Sequence, residues 1–163
     1  MNFPLKSYQS FNESGYAYSF EYPVYASIEN KINYFGDKVQ TKGWINIHFP
    51  EYNATIYVSY KPIQRNQFDT LVKDAYIFAY NHNSKASSIA DSVFNTEAGV
   101  HGVFFHISGD VATNYQFFLT DSVHHFFRGA LYFDTTPNED SLAPANAFLF
   151  KDLTHLVNTF RWK

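Results

Sequence analysis

Residues 100–133 decide the fold of this chain, and their sequence is VHGVFFHISGDVATNYQFFLTDSVHHFFRGALYF. Residues 100–107 are apolar on both alternating faces, which is typical of a strand inside a sheet. Turn-forming residues at Gly109-Asp110 and at Thr120-Asp121-Ser122 separate three aromatic runs. The sequence therefore predicts successive antiparallel strands at 100–108, 113–120 and 124–133. Gly129 interrupts the last of these strands and indicates a bulge.

Alternating segments continue upstream of this run. The additional predicted strands are 16–24, 43–49, 54–60 and 87–96. Residues 50–53 separate the second of these strands from the third, so the two should form a hairpin. Residues 1–15 indicate an extended N-terminal arm, and residues 28–41 are typical of a polar surface loop.

Two segments have helical periodicity instead. Apolar residues recur on one face across residues 66–82, where Asn66 is the expected N-cap, and across residues 145–159, where Pro144 precedes the first turn. Residues 134–144 are rich in turn formers and should form a loop. The order of elements predicts the α+β class: a single domain at 16–163, with a mainly antiparallel, aromatic-rich sheet and both helices packed on its apolar side.

Composition favours this sheet and excludes several functions. The 163 residues include 18 Phe, 13 Tyr and 2 Trp, and aromatic side chains suit the half-buried faces of strands. The net charge of −3 leaves no basic stripe for nucleic acid. The absence of cysteine excludes disulfides and thiolate metal sites. The first residues also lack the charged and apolar regions of a signal peptide.

The densest polar cluster consists of Asp121, Ser122, His124 and His125. Adjacent strand residues point to opposite faces, so the two histidines should not bind one metal ion. The cluster contains the residue types of a hydrolytic triad, but no Gly-x-Ser-x-Gly turn presents the serine. We therefore predict no catalytic, metal or cofactor site, and we expect turn and surface roles for these residues.

Other charged or titratable residues lie within predicted strands. His101 and His106 are five residues apart, so they should face opposite sides of one strand. Glu21 should lie on a solvated face. Arg128 interrupts an aromatic strand, where its side chain either lies over apolar neighbours or pairs with a carboxylate, in this chain or in a partner.

Arg128, Tyr60 and Lys61 are the residues that we single out as a candidate interaction surface. Tyr60 and Lys61 close a predicted strand just before the first helix. We predict that they share one surface with Arg128 and that this surface contacts a partner.

Several blocks of the sequence, in their order and spacing, resemble the gliding-motility lipoprotein GldD family of Bacteroidetes. The blocks are SFEYPVYA at 19–26, WINIHFP at 44–50, SYKPI at 59–63, QFFLTDS at 116–122, FRGALYF at 127–133, DSLAP at 140–144 and TFRWK at 159–163. They extend over nearly the whole chain. The strand order with a closing helix is also similar to PsbP and Mog1-like domains, which is a likeness of topology.

The resemblance implies a protein of the cell envelope that faces the periplasm and is anchored by a lipid. It implies other gliding and type IX secretion proteins as partners, and no active site is carried over from the family. The lipid would be attached to an N-terminal cysteine of the precursor, and this chain contains no cysteine. We expect the chain itself to be soluble.

Three functions remain open at this point. The first is a non-catalytic envelope component that supports gliding through protein–protein interaction, and an exposed aromatic patch would favour it. The second is a small-molecule or glycan-binding domain, because clustered aromatic faces suit flat ligands; a tyrosine-lined pocket would favour it. The third is a hydrolase, which a concave site around a residue with a strongly shifted pKa would favour.

Overall fold

The computed structural model describes residues 3–30, 43–81 and 85–163, which form two antiparallel sheets and two α-helices. The small sheet contains, in spatial order, β1 (Tyr8–Phe11), β2 (Tyr18–Pro23) and β10 (Arg161–Trp162). The large sheet contains, in spatial order, β3 (Ser27–Asn30), β4 (Ile45–Phe49), β5 (Ala54–Pro62), β9 (His125–Phe133), β8 (Tyr115–Thr120), β7 (His101–Gly109) and β6 (Ala86–Asn95). The helices are α1 (Phe68–Tyr80) and α2 (Glu139–Thr159). The α+β class is confirmed.

The aromatic run of the sequence forms the centre of the large sheet, as predicted. β7 pairs with β8 and β8 with β9, each antiparallel. The bulge predicted at Gly129 is wrong, because its pairing with Val58 and with Phe117 continues the register on both sides without a break. Glycine is needed there for a different reason: a Cβ would overlap the ring of Phe117.

The larger core lies between the two sheets and α2. Tyr18 and Phe20 of β2 are fully buried, and the Tyr18 ring lies 4.9 Å from the ring of Phe127 on β9. Phe160, which follows α2, lies 4.8 Å from the same Phe127 ring. The small sheet and α2 therefore cover one face of the large sheet.

α1 covers part of the opposite face. Its Ala75 and Ala79 are buried, and its Tyr76 ring packs at 4.9 Å, edge to face, on Phe105 of β7. The expectation that both helices pack on one side of the sheet is therefore wrong. The physical reason lies in the central strands, whose two faces are both apolar and must both be removed from water.

The boundaries of both helices differ from the sequence expectations. α2 begins at Glu139, and the Asn138 side chain caps it by accepting the Ser141 N–H at 3.0 Å. Residues 139–144 are thus helical rather than loop, and Pro144 lies inside α2. Asn66 does not cap α1; it has a φ of 63°, and α1 begins two residues later. The polar first turn of α2 hid its start, because only the later turns face the core.

Two segments predicted to lack pairing contain strands. β1 lies within the predicted N-terminal arm and pairs with β2, and β3 overlaps the first three residues of the predicted loop and pairs with β4. The rest of that loop, residues 31–41, lies outside the described residues. The predicted hairpin of β4 and β5 is confirmed, with a short 3-10 turn at Pro50–Tyr52. No helix in the described part of the chain is long and apolar enough to cross a bilayer.

Candidate functional site

The three residues of the predicted interaction surface lie on two faces of the large sheet. Residues that are directly opposite in an antiparallel pair share a face. Arg128 pairs with Ser59, and Lys61 lies further along the same face of β5. Tyr60 points to the other face, where its ring centroid lies 5.7 Å from that of Tyr18 in the small sheet. The structure thus places Arg128 and Lys61 on the α1 side and separates Tyr60 from them.

The Arg128 side chain lies over an apolar neighbour on α1. Its guanidinium carbon is 4.1 Å from the ring centroid of Phe78, a geometry that favours a cation–π interaction. Burial lowers the pKa of Arg128, against smaller opposing effects of Tyr132 and Asp74. The ion pairs among the described residues do not include Arg128. In the part of the chain that the structure describes, the arginine therefore lies over an apolar neighbour and does not pair with a carboxylate.

Tyr60 belongs to a cluster that joins the chain's last strand to the large sheet. Its hydroxyl is 2.6 Å from Nδ1 of His125, and the His125 ring stacks on Trp162 of β10 at 4.8 Å. Burial lowers the pKa of His125, so the neutral ring is favoured. These contacts give Tyr60 a packing role between the two sheets.

The polar cluster around Asp121 forms a turn. Asp121 Oδ1 accepts the backbone N–H groups of Val123, His124 and His125 at 3.0, 2.8 and 2.9 Å. Burial alone would raise the pKa of Asp121, but these bonds outweigh it and lower the pKa. Oδ1 of the carboxylate is therefore committed to the backbone of the β8–β9 turn, and Oδ2 lies 3.6 Å from Nδ1 of the exposed His124.

Ser122 contacts a histidine other than its sequence neighbour. Its Oγ lies 2.5 Å from Nε2 of His101, and its φ is 70°. His106, on the opposite face of β7, stacks on Tyr115 at 4.8 Å. Among the described residues, no group of three or more His, Asp or Glu side chains is arranged to hold a metal ion. Glu21 is 43% exposed and bonds to His155 at 2.7 Å.

A buried ionic network that the sequence interpretation missed ties the N-terminal segment to α2. The side chain of Asp152 is 1% exposed and lies 2.9 Å from Lys6 Nζ. The hydroxyls of Tyr8 and Tyr25 donate to the same carboxylate. A signal was present, since Asp152 lies within the apolar stripe of α2, where an unpaired acid is costly. Its partners lie too far away in sequence to be identified from it.

β6 forms one edge of the large sheet. Among the described residues it pairs with β7 alone, and it is 10 residues long. Its Val93 side chain is 81% exposed. Main-chain groups on such an edge are available to a further strand.

An aromatic cleft lies beside this edge, between β6 and α2. The cleft, here called the β6 cleft, has a volume of about 280 Å³ and is lined by Ala90, Asp91 and Ser92 of β6, Phe104 and His106 of β7, Tyr115 of β8 and Phe150 of α2. The Asp91 carboxylate itself bonds to Tyr80 of α1. The Phe150 ring lies 4.9 Å from Tyr115 and 5.8 Å from Phe104. Burial raises the pKa of Tyr115, so its hydroxyl stays protonated and can donate. The cleft can accept an apolar or flat group and offers few polar partners.

The sequence matches a known protein family. The model of the family described as "Gliding motility lipoprotein GldD" matches residues 1–162. The chain belongs to the GldD family of gliding-motility lipoproteins. As a lipoprotein family, GldD implies anchoring at the cell envelope. No curated protein matches the sequence.

A solved structure shares the fold of this GldD-family chain. It is the solution structure of cyanobacterial PsbP (CyanoP) from Synechocystis sp. PCC 6803, with 9% identity and a TM-score of 0.53. The alignment covers 98% of this chain and 95% of that one. The predicted likeness to PsbP is confirmed for the fold, and a shared fold does not transfer a function.

Proposed function

We propose that this GldD-family chain is a non-catalytic component of the envelope apparatus for gliding, linked to the type IX secretion machinery, and that it works by binding other envelope proteins. In the precursor, a lipid on an N-terminal cysteine would hold the domain at the membrane, facing the periplasm. Membership of the family supports the motility role, and the family description names a lipoprotein and no reaction.

The observation that carries the binding role is the open edge of β6 with the β6 cleft beside it. Main-chain groups, exposed apolar side chains and an aromatic recess lie within a few residues of one another along this edge. Interface cores are enriched in aromatic residues and poor in charge, and β6 has a single charged residue, Asp91. This surface is therefore suited to a protein partner.

A pull-down from cell envelopes of a gliding bacterium tests the proposal, with the domain as bait. Three baits are compared: the unchanged chain, Val93→Lys on β6, and Val24→Lys, a control at another exposed valine. We expect motility or secretion components with the unchanged and Val24→Lys baits and about tenfold less with Val93→Lys. Recovery of no such component by any bait would refute the proposed function.

A small-molecule or glycan-binding role is the second candidate, and the lining of the β6 cleft favours it. Stacked rings beside Ser92 and His106 resemble the mixture of apolar walls and few polar groups found in ligand pockets. Soluble peptidoglycan fragments, titrated against the labelled domain, should then shift the resonances of Tyr115 and Phe150. Absence of shifts at millimolar fragment would remove this candidate.

A further inference from the structure

β6 is longer than the other edge strands and carries few of the features that usually block pairing. The described edge strands β1, β3 and β10 contain 4, 4 and 2 residues, against 10 in β6. The β6 sequence ASSIADSVFN has no proline, lysine or arginine. Its register shift lies at one end, between Ala86 and Ser88. Because natural proteins normally shorten, charge or bend such edges, the regular remainder of β6 points to a binding role.

The ladder between β6 and β7 identifies the main-chain groups that face outward. The Thr96 N–H donates to the Val100 carbonyl oxygen at 2.8 Å, so Thr96 and Val100 are a hydrogen-bonded pair. This pair directly follows the pair of Asn95 and His101 in the ladder. Hydrogen-bonded and non-hydrogen-bonded pairs alternate in an antiparallel ladder. Ile107 of β7 agrees with this alternation, because its N–H donates to the Asn114 carbonyl oxygen on the β8 side and so points away from β6. The β6 residues whose main chain points away from β7 are therefore Ile89, Asp91, Val93 and Asn95.

The side chains of β6 alternate between two different surroundings. Ala90 and Ser92 are small and lie on the side of the β6 cleft. Ile89, Asp91 and Val93 lie on the α1 side. Asp91 accepts a hydrogen bond from the Tyr80 hydroxyl at 2.9 Å and takes part in none of the ion pairs among the described residues.

We propose that β6 binds an extended segment of a partner protein, which adds as one further strand to the large sheet. The segment carries an aromatic or large aliphatic side chain beside Ala90 and Ser92, where it enters the β6 cleft. It carries a basic side chain beside Asp91, on the other face. This proposal deepens the proposed function and rests on it, since it names the mode of binding and the chemistry of the partner.

Size and charge argue for such a segment rather than a second copy of this chain. In an antiparallel pairing of two β6 strands centred on Asp91, Ala90 and Ser92 would lie opposite each other, and both are too small to fill about 280 Å³. Phe94, on the same face, already packs near Phe104 of its own sheet. The pairing would also bring two Asp91 carboxylates close together, and like charges on neighbouring strands are destabilising. A basic, aromatic segment removes both problems, and the net charge of −3 favours it.

A displayed library of random peptides of about nine residues tests the proposal, because that length spans the regular residues 88–95 of β6 at about 3.3 Å per residue. We expect selected peptides with aromatic or large aliphatic residues at alternate positions and a basic residue between them. On binding, the amides of Ile89, Asp91, Val93 and Asn95 should become protected from hydrogen exchange. The intervening amides already bond to β7 and should change little.

Val93→Pro removes one outward N–H and leaves the β6–β7 ladder intact, so it should weaken peptide binding by about tenfold or more. Val93→Thr keeps that N–H and serves as the matched control, with a change of about threefold or less. Phe150→Ala opens the β6 cleft and should also weaken binding by about tenfold. Unchanged exchange protection between β6 and β7 in each variant shows that it remains folded.

Any of four results would overturn this inference. One is the absence of any enriched peptide, and another is enriched peptides that bind Val93→Pro as well as the unchanged chain. The third is a peptidoglycan fragment that fills the β6 cleft without protecting the β6 amides. Envelope partners that still bind the Val93→Lys bait would leave the proposed function standing while refuting the β6 mode. Failure of all three baits, the unchanged chain included, to recover any envelope component would refute the proposed function itself.

Discussion

Replacing Lys6 by methionine would remove the cation from the buried network that holds the N-terminal segment on α2. Lys6 Nζ donates to Asp152 Oδ1 at 2.9 Å and to the carbonyl oxygen of Phe148 at 2.8 Å. It also lies 3.3 Å from the ring centroid of Phe148. Methionine preserves most of the apolar stem, so the main loss is the charge opposite a carboxylate that is 1% exposed.

The expected destabilisation follows from what remains around Asp152. Removing one partner of a buried ion pair costs about 3–5 kcal/mol, because the other charge is left buried. Tyr8 and Tyr25 still donate to the carboxylate. The Lys6 side chain is 26% exposed, so part of its charge is already solvated. We therefore expect the lower end, about 3 kcal/mol, which corresponds to a fall in Tm of about 6–12 °C for a chain of this size.

Urea and thermal unfolding followed by circular dichroism provide the measurement. Lys61→Met is the matched control, since Lys61 is exposed; it should change stability by no more than about 0.5 kcal/mol. The double variant Lys6→Met, Asp152→Leu should recover most of the loss, because it removes the buried charge as well. A Lys6→Met loss below about 1 kcal/mol would show that the network does not hold the segment, and would refute the reasoning.

Three further predictions concern other parts of the chain. Burial, together with a neighbouring carboxylate, raises the pKa of both Tyr8 and Tyr25; stability should therefore be fully present below about pH 10 and fall above it, by at most about 1.4 kcal/mol per pH unit per tyrosine, because both side chains are partly solvated. Urea melts from pH 8 to 11 check this, and a flat profile contradicts it. Gly102→Ala places a Cβ against a carbonyl oxygen of β8 and should cost about 3 kcal/mol or more. In Gly99→Ala the new Cβ has free space, but the residue has a φ of +76°, so the free energy of unfolding should fall by about 1–2 kcal/mol in the same melts. Equal destabilisation by Gly102→Ala and Gly99→Ala would contradict the steric explanation. Arg128→Ala should lower Tm by about 2–4 °C. If the variant remains folded and loses partner binding, the result supports the predicted interaction surface; if it unfolds, the role of Arg128 is structural.

Sequence periodicity was sufficient for most of the elements and insufficient for some of their ends. The central strands and the apolar stripe of α2 were predicted because every turn or alternate residue there faces a core. The first turn of α2 was missed, since Glu139 and Asp140 are exposed and do not face the core. The Glu139 carboxylate instead accepts the Gly109 N–H. β1 and β3 were missed because each has four residues, too few for an alternating pattern.

The candidate site was less accessible to sequence reasoning than the fold. Tyr60 and Lys61 are adjacent, so on a strand they had to face opposite sides, and grouping both with Arg128 overlooked this alternation. The openness of β6 depends on its place at the end of the strand order, which the residues of β6 do not encode. The β6 cleft brings together three strands and α2, and its residues lie far apart in the chain.

The sequence by itself determined both helices and the longer strands, which side chains of those strands share a face, and that an aromatic core must form, because these properties depend on neighbours a few residues apart. The tertiary structure decided that α1 and α2 cover opposite faces of the large sheet, that Asp152 meets Lys6 across 146 positions, and that β6 lies at an edge. The physical reason is that packing selects one arrangement of elements by the total apolar area it buries. No local sequence pattern contains the total buried area, so edge strands, clefts and distant ion pairs are defined only in the folded chain.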